Sequence, residues 1–212
     1  MSAHLQNENR QDKSIMTKQQ QRYFQILQAA YALLESGNFQ NMTTARIAAL
    51  AGVAEGTIYR YFKNKRHLLF EVLDFYGQSI ANRIFSKALP NQDLKTNLEG
   101  FVDSFFLSLR QDAPFFRVMH KVLSEIDDPE IYPLLRDTFI RHSKSIREVF
   151  EWARQKGEIT LTDEETDNMV HGLWGLADSF MIRVVLQIHT PIQKREVAYM
   201  VSAFTRQLFS EE

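Results

Sequence analysis

Apolar residues recur along this chain at helical spacing, in blocks separated by short polar or Gly/Pro-containing breaks. Tyr23, Ile26, Leu27, Ala30, Leu33 and Leu34 fall three, four or seven residues apart, one face of a helix. Ser36-Gly37 is expected to close it, because glycine tolerates a left-handed cap. A short helix is predicted from Thr44 to Ala51, with Ile47, Leu50 and Ala51 facing inward and Thr43 or Thr44 capping its start. Gly52-Val53 makes a tight turn, and a third short helix is expected over residues 54–62. Asn64 can cap a fourth, carried by Leu68, Leu69, Val72, Leu73 and Phe75.

Longer helices follow. Leu94, Leu98, Phe101, Phe105 and Leu109 form one stripe, and Pro114 opens a short helix with Phe115, Phe116 and Met119. Asp128-Pro129 has the form of a cap followed by a first helical residue. Pro133 demands a kink or restart, and the next helix should run to about Lys156 and stop at Gly157. Thr162 and Glu165 form a capping box for a helix ending near Ile188. Thr190 with Gln193 does the same for the last helix, which shows Val197, Met200, Val201, Phe204 and Leu208 on one face. The expected fold is all-α, about nine helices with no strand.

The stretch that carries chemistry is TTARIAALAGVAEGTIYRYFKNKRHLL, residues 43–69. Two short helices joined by a glycine turn, braced by a preceding helix, make a helix-turn-helix, whose second helix enters the major groove. On a helical wheel of the third helix, Ile58 and Phe62 point inward and Thr57 and Tyr61 border the core. Glu55, Gly56, Tyr59 and Arg60 face out. An outward glycine lets backbone approach a ligand closely. Arg60 can hydrogen-bond a guanine edge or a phosphate, and Tyr59 and Tyr61 place hydroxyls where phosphates would run. Tyr61 and Thr57 also suit packing roles, and Lys63, Lys65 and Arg66 suit a solvated basic face.

This run resembles the helix-turn-helix of the tetracycline-repressor (TetR) family: a Thr-led helix, then A-x-x-A-G-V, then G-T-I-Y-x-Y-F-x-x-K. The likeness extends over about residues 20–70. It implies a repressor with a three-helix DNA-binding head and a helical body that binds ligand and dimerises. By that resemblance Thr44, Tyr59, Tyr61 and Lys65 contact phosphates, while Arg46, Glu55, Gly56, Thr57 and Arg60 are the base-reading candidates. Ala54 stands where many members carry Ser or Thr. Glu55, acidic beside a polyanion, can accept from cytosine N4, or point at Arg60 or solvent. The implied division is a flexible tail over 1–17, a head over 18–66 and a ligand-binding and dimerisation body over 67–212.

The body is rich in large side chains that suit an ordinary core or an apolar cavity with a few orienting polar groups. The ligand candidates are Phe105, Phe116, Met119, His120, His171, Trp174 and Asp178. The segment from Met169 to Val185 is apolar nearly all round and must be covered on more than one side, with Gly172 and Gly175 allowing close approach. With the last helix it forms the expected dimer seam, through Trp174, Met181, Val185, Val197, Met200 and Phe204, unless both faces are buried within one subunit.

Charge sharpens the division. Residues 1–70 carry a net +5 and the remainder −6, a basic head on an acidic body. The chain has no cysteine, which removes disulfides and thiolate metal sites. The six histidines show no i, i+3 or i+4 pair, and no G-x-S-x-G, Walker A, G-x-G-x-x-G or H-E-x-x-H run is present. No enzyme, metal or cofactor is expected. The opening residues lack an apolar core typical of a signal peptide, and no apolar run approaches the ~20 residues of a membrane span. The expectation is a cytoplasmic homodimer that binds palindromic duplex DNA and is released by a small hydrophobic or aromatic inducer. The alternative is an adaptor protein, which would have no use for Arg60 and two tyrosines on an exposed short helix.

Overall fold

Local signals set most helix ends in the computed structural model, which describes residues 17–37, 39–188 and 191–209. The described residues form nine α-helices and no strand: α1 (Lys18–Ser36), α2 (Thr44–Ala51), α3 (Glu55–Ile58), α4 (Lys65–Ile84), α5 (Leu94–Gln111), α6 (Ala113–Leu123), α7 (Tyr132–Gln155), α8 (Asp163–Val185) and α9 (Lys194–Thr205). A 3-10 turn, Arg206–Leu208, follows α9. The expected tail lies, apart from Thr17, outside the described residues, as does Thr190.

The chain divides into two compact units: Met1–Gln78 with Pro114–Arg136, and Ser79–Ala113 with Asp137–Glu212. In the first, Ile26, Leu27 and Leu34 of α1 are fully buried, as are Met42, Ile47 of α2, and Leu68, Leu69 and Val72 of α4. Tyr31 stacks on Tyr76 with ring centroids 4.2 Å apart. The segment Pro114–Arg136 is tied to this core by charge as well as packing. Lys121 donates to the carbonyls of Leu34 and Glu35 at 3.0 and 2.9 Å, and Arg66 grips Asp128 through Nε and Nη2 at 2.8 and 2.6 Å.

In the second unit α9 lies on α5 and α8, and Val197, Val201 and Thr205 are buried. Gly172 of α8 admits the Phe204 ring: a Cβ there would stand 2.0 Å from its Cζ. Gly175, by contrast, faces open space. Phe101 and Phe105 stack at 5.5 Å. A polar knot sits among these apolar contacts: the Asp112 carboxylate accepts from Arg83 Nη2 on each of its oxygens at 2.6 Å and from Ser108 Oγ at 2.6 Å.

Several expected ends hold. Thr43 caps α2, Gly52 takes φ 65° behind it, and the Thr162–Glu165 box opens α8. Asn64 Oδ1 accepts from the His67 amide at 2.7 Å, and Gly157 takes φ 72° after α7. Others differ. Gly37 ends α1 without a left-handed conformation, at φ −134°. Leu50 is 56% exposed, because the inward face of α2 is carried by Ile47 and Ala48. Regular helix α3 stops at Ile58, and single turns carry the chain to Phe62. Asp128 caps a turn rather than a helix, accepting from Glu130 N at 2.9 Å. Helix α7 starts only at Tyr132, with Pro133 in its first turn, where a missing N–H costs nothing. Helix α8 stops at Val185, short of Ile188, and Gln193 is itself the N-cap of α9, with no side-chain capping bond.

Candidate nucleic-acid interface

Helix α3 is positioned by two apolar anchors. Ile58 and Phe62, each 1% exposed, turn one side of the segment into the core. Tyr23 of α1 stacks on Phe62 at 5.2 Å, and its hydroxyl donates to Glu71 at 2.5 Å. Burial first, and then this carboxylate, raise the Tyr23 pKa far above its ordinary range, so the phenol stays protonated as a donor. With the inner side fixed, Glu55, Gly56, Tyr59 and Arg60 are exposed, and Thr57 and Tyr61 are half-buried at the edge. A Cβ at Gly56 would meet nothing within 4 Å, so the backbone there is open to approach.

The flanking residues are held more firmly. Thr44, the first residue of α2, donates its hydroxyl to Glu55 Oε1 and lies 3.4 Å from the Tyr59 hydroxyl. Arg46 Nη1 donates to the Asn41 carbonyl at 2.9 Å. Lys65 Nζ sits 4.0 Å over the Phe39 ring. Burial holds the Lys65 ammonium below the ordinary lysine range; Glu125 pulls it back up and Arg66 pushes it down. Arg66 is occupied by Asp128 and by Glu130 at 3.1 Å, and these bonds raise its pKa. Thr44, Glu55, Tyr59, Gly56 and Arg60 therefore come together around α3, while Arg46 and Lys65 are anchored to the loop before α2.

The ligand candidates are spread over both units. Phe116, Met119 and His120 lie in the first, where His120 Nδ1 stands 2.8 Å from the Phe116 carbonyl. Phe105, His171, Trp174 and Asp178 lie in the second. There Phe105 is buried against Phe180, while exposed His171 stacks on Phe139 at 6.4 Å. Trp174 meets Phe139 edge-on at 5.2 Å and His142 at 5.7 Å. Burial, with Arg141 nearby, holds His142 below the ordinary histidine range. A groove of about 900 Å³ opens between α5 and α9, lined by Leu98, Val102, Lys95, Arg195, Tyr199 and Phe209, and none of the ligand candidates borders it. Sequence reasoning did not single out Phe139 or His142; both lie on α7, whose apolar pattern is interrupted by charge.

Of the seam candidates, Met200 is exposed and Trp174, Met181, Val185 and Phe204 are half-buried. Val197, at 1% exposure, is already covered by its own subunit. Among the described residues no group of three or more His, Asp or Glu could hold a metal ion, and no helix is long and apolar enough to cross a membrane.

Residues 26–72, which hold the whole of α2, α3 and their anchors, match the family of bacterial regulatory proteins, tetR family. Over those residues the chain carries the DNA-binding segment of the TetR family. The chain is also similar to the nucleoid occlusion factor SlmA of Salmonella paratyphi A, 28% identical over 152 residues, covering 70% of this chain and 76% of that protein. Among solved structures, a transcriptional regulator of Pseudomonas aeruginosa shares its fold at a TM-score of 0.78 and 17% identity, covering 92% of this chain and 93% of the other. FadR of Bacillus subtilis, solved with stearoyl-CoA, aligns at a TM-score of 0.71 and 20% identity over 90% of this chain and all of that one. Regulators of this family are typically non-enzymatic.

Proposed function

We propose that this regulator is a cytoplasmic homodimeric repressor, seated on a palindromic operator by residues 18–66 and released when a small hydrophobic or aromatic molecule binds residues 67–212. The observation that carries the reading is Arg60. It is exposed beside Gly56 on a segment whose opposite side is locked by Ile58 and Phe62, so neither packing nor pairing accounts for it. Arg60 and Glu55 read base edges through the gap left by Gly56, with Arg46 and Thr57 beside them. Thr44, Tyr59, Tyr61 and Lys65 hold phosphates and set the register.

Two heads in a dimer would address half-sites about 34 Å apart. The exposed apolar side chains of α8 and α9, with Trp174, Met181, Val185, Met200 and Phe204, supply the seam, and Val197 backs it from inside. Release follows if the inducer fits the body better in a conformation that misplaces the heads. The lever is α4, which carries residues of both compact units. In the second unit Phe105 and Trp174, with His171 and Asp178 as polar groups, favour an apolar inducer, and Phe116, Met119 and His120 are the candidates of the first unit. FadR, which shares the fold, was solved with a long-chain acyl thioester, which is consistent with such a class.

The test is selection of random duplex DNA by the purified protein, followed by titration of the enriched site with wild type and Arg60→Ala. A palindrome should emerge, and the substitution should weaken binding about tenfold or more, from a contact worth ~1–3 kcal/mol. An equal loss on unrelated duplex would assign Arg60 to phosphate instead, and no enrichment at low salt would end the reading.

A further inference from the structure

A phosphate-binding hydroxyl in this protein is already occupied by one of its own carboxylates. Thr43 caps α2, so the hydroxyl of Thr44 is released from capping and is left at the surface. Glu55 begins α3 directly across the turn. Thr44 Oγ1 donates to Glu55 Oε1, and the Tyr59 hydroxyl lies 3.4 Å from Thr44 Oγ1. A threonine hydroxyl has one proton to give. Thr44 can donate it to Glu55 or to a DNA phosphate, but not to both.

We infer that Glu55 is a specificity-determining residue that stands in for a DNA phosphate in the free protein and must be displaced before the backbone can seat. This rests on the reading of Thr44 and Tyr59 as phosphate contacts. The displaced carboxylate then lies beside the polyanion. Two like charges roughly 5 Å apart in water repel enough to cost about fourfold in affinity. That penalty applies to every sequence alike. It is offset only where a base offers a donor to the displaced carboxylate, as the cytosine N4 amino group does. Glu55 therefore weakens binding to arbitrary duplex more than binding to the operator, and it does so from the free state as well as from the complex.

The experiment compares wild type, Glu55→Gln, Thr44→Val and the double variant on the selected operator and on a scrambled duplex of equal length, over a salt series, with Arg60→Ala alongside. Glu55 is exposed and Thr44 half-buried, and unchanged thermal melting checks the fold. Glu55→Gln should bind scrambled duplex about three- to tenfold more tightly, gain less or lose on the operator, and steepen the salt dependence by about one phosphate equivalent. In the Thr44→Val background the same change should have a smaller effect on scrambled duplex, because the contested hydroxyl is gone. Scrambled-duplex affinity within twofold of wild type, or an equal gain on both duplexes, overturns the inference while leaving the repressor reading intact. Wild type that binds neither duplex, with Arg60→Ala indistinguishable from it, overturns the repressor reading and takes this inference with it.

Discussion

The two compact units differ in what they leave at their surfaces. In the unit that carries α1 to α3, the large apolar side chains left exposed are scattered: Leu50, Tyr59, Leu123, Ile126 and Tyr132. Its charged groups are spent on long-range ties such as Lys121 to the end of α1 and Arg66 to Asp128. In the other unit, besides the isolated Leu89 and Leu107, exposed apolar residues gather on three stretches: Phe139 and Ile140 on α7, Ile182 to Ile188 at the end of α8, and Tyr199, Met200 and Phe209 on and after α9. Scattered apolar residues are ordinary on a soluble surface, whereas gathered ones mark a place for a partner. On the proposed reading, the first unit offers its outward face of α3 to a polyanion. The other has the surface of a subunit awaiting its copy, as the dimer proposal requires.

Both tryptophans, Trp152 and Trp174, belong to the second unit, so selectively excited tryptophan fluorescence reports on that unit. The largest effect is expected at its polar knot. Asp112 is 2% exposed and satisfies Arg83 and Ser108 together. Asp112→Ala strands a half-buried guanidinium and should cost about 3–5 kcal/mol, read as a fall in the urea midpoint by tryptophan fluorescence. A loss under ~1 kcal/mol would mean that Arg83 finds water or another partner. Next in size is the apolar surface. Leu186, 65% exposed at the end of α8, should change subunit stability by less than ~0.5 kcal/mol when made Glu. In a two-fold dimer the charge enters from both sides, and sedimentation should show dissociation constants raised about tenfold or more. An unchanged dimer would move the seam away from the end of α8.

Legibility in the sequence follows the range of the interaction. Caps are local, so Thr43, Gly52, Asn64, Gly157 and the Thr162–Glu165 box could be read from neighbouring residues. The outward face of α3 was legible for a similar reason: a short helix with two apolar anchors leaves little choice for the rest. Leu50 misled because an apolar residue on an amphipathic helix says nothing about whether a neighbour comes to cover it. The membership of Pro114–Arg136 in the first unit was not legible, since Arg66 and Asp128 meet across 62 residues of chain. The Thr44–Glu55 bond was equally hidden. The charge of Glu55 raised the question of its partner, but nothing in the spacing pointed back to Thr44 rather than forward to Arg60 or out to solvent.

Lys121 offers the finest test of the comparison. Gly37 N–H and Ser36 Oγ reach the Leu33 carbonyl, but helix α1 has no basic residue in its last turn, so the negative end of its dipole lacks a local charge. Lys121 of α6 supplies it from a distance, with two charge-assisted bonds to Leu34 and Glu35. Lys121→Met keeps most of the aliphatic stem and removes both bonds, so the expected cost is about 1–2 kcal/mol. Because the tie lies wholly within the first unit, the loss should be visible in the far-ultraviolet helical signal and in amide exchange along α1. The tryptophan midpoint should stay in place. If that midpoint falls by the same amount, the two units unfold as one cooperative body, and the contrast between them is one of surface chemistry rather than of independent stability.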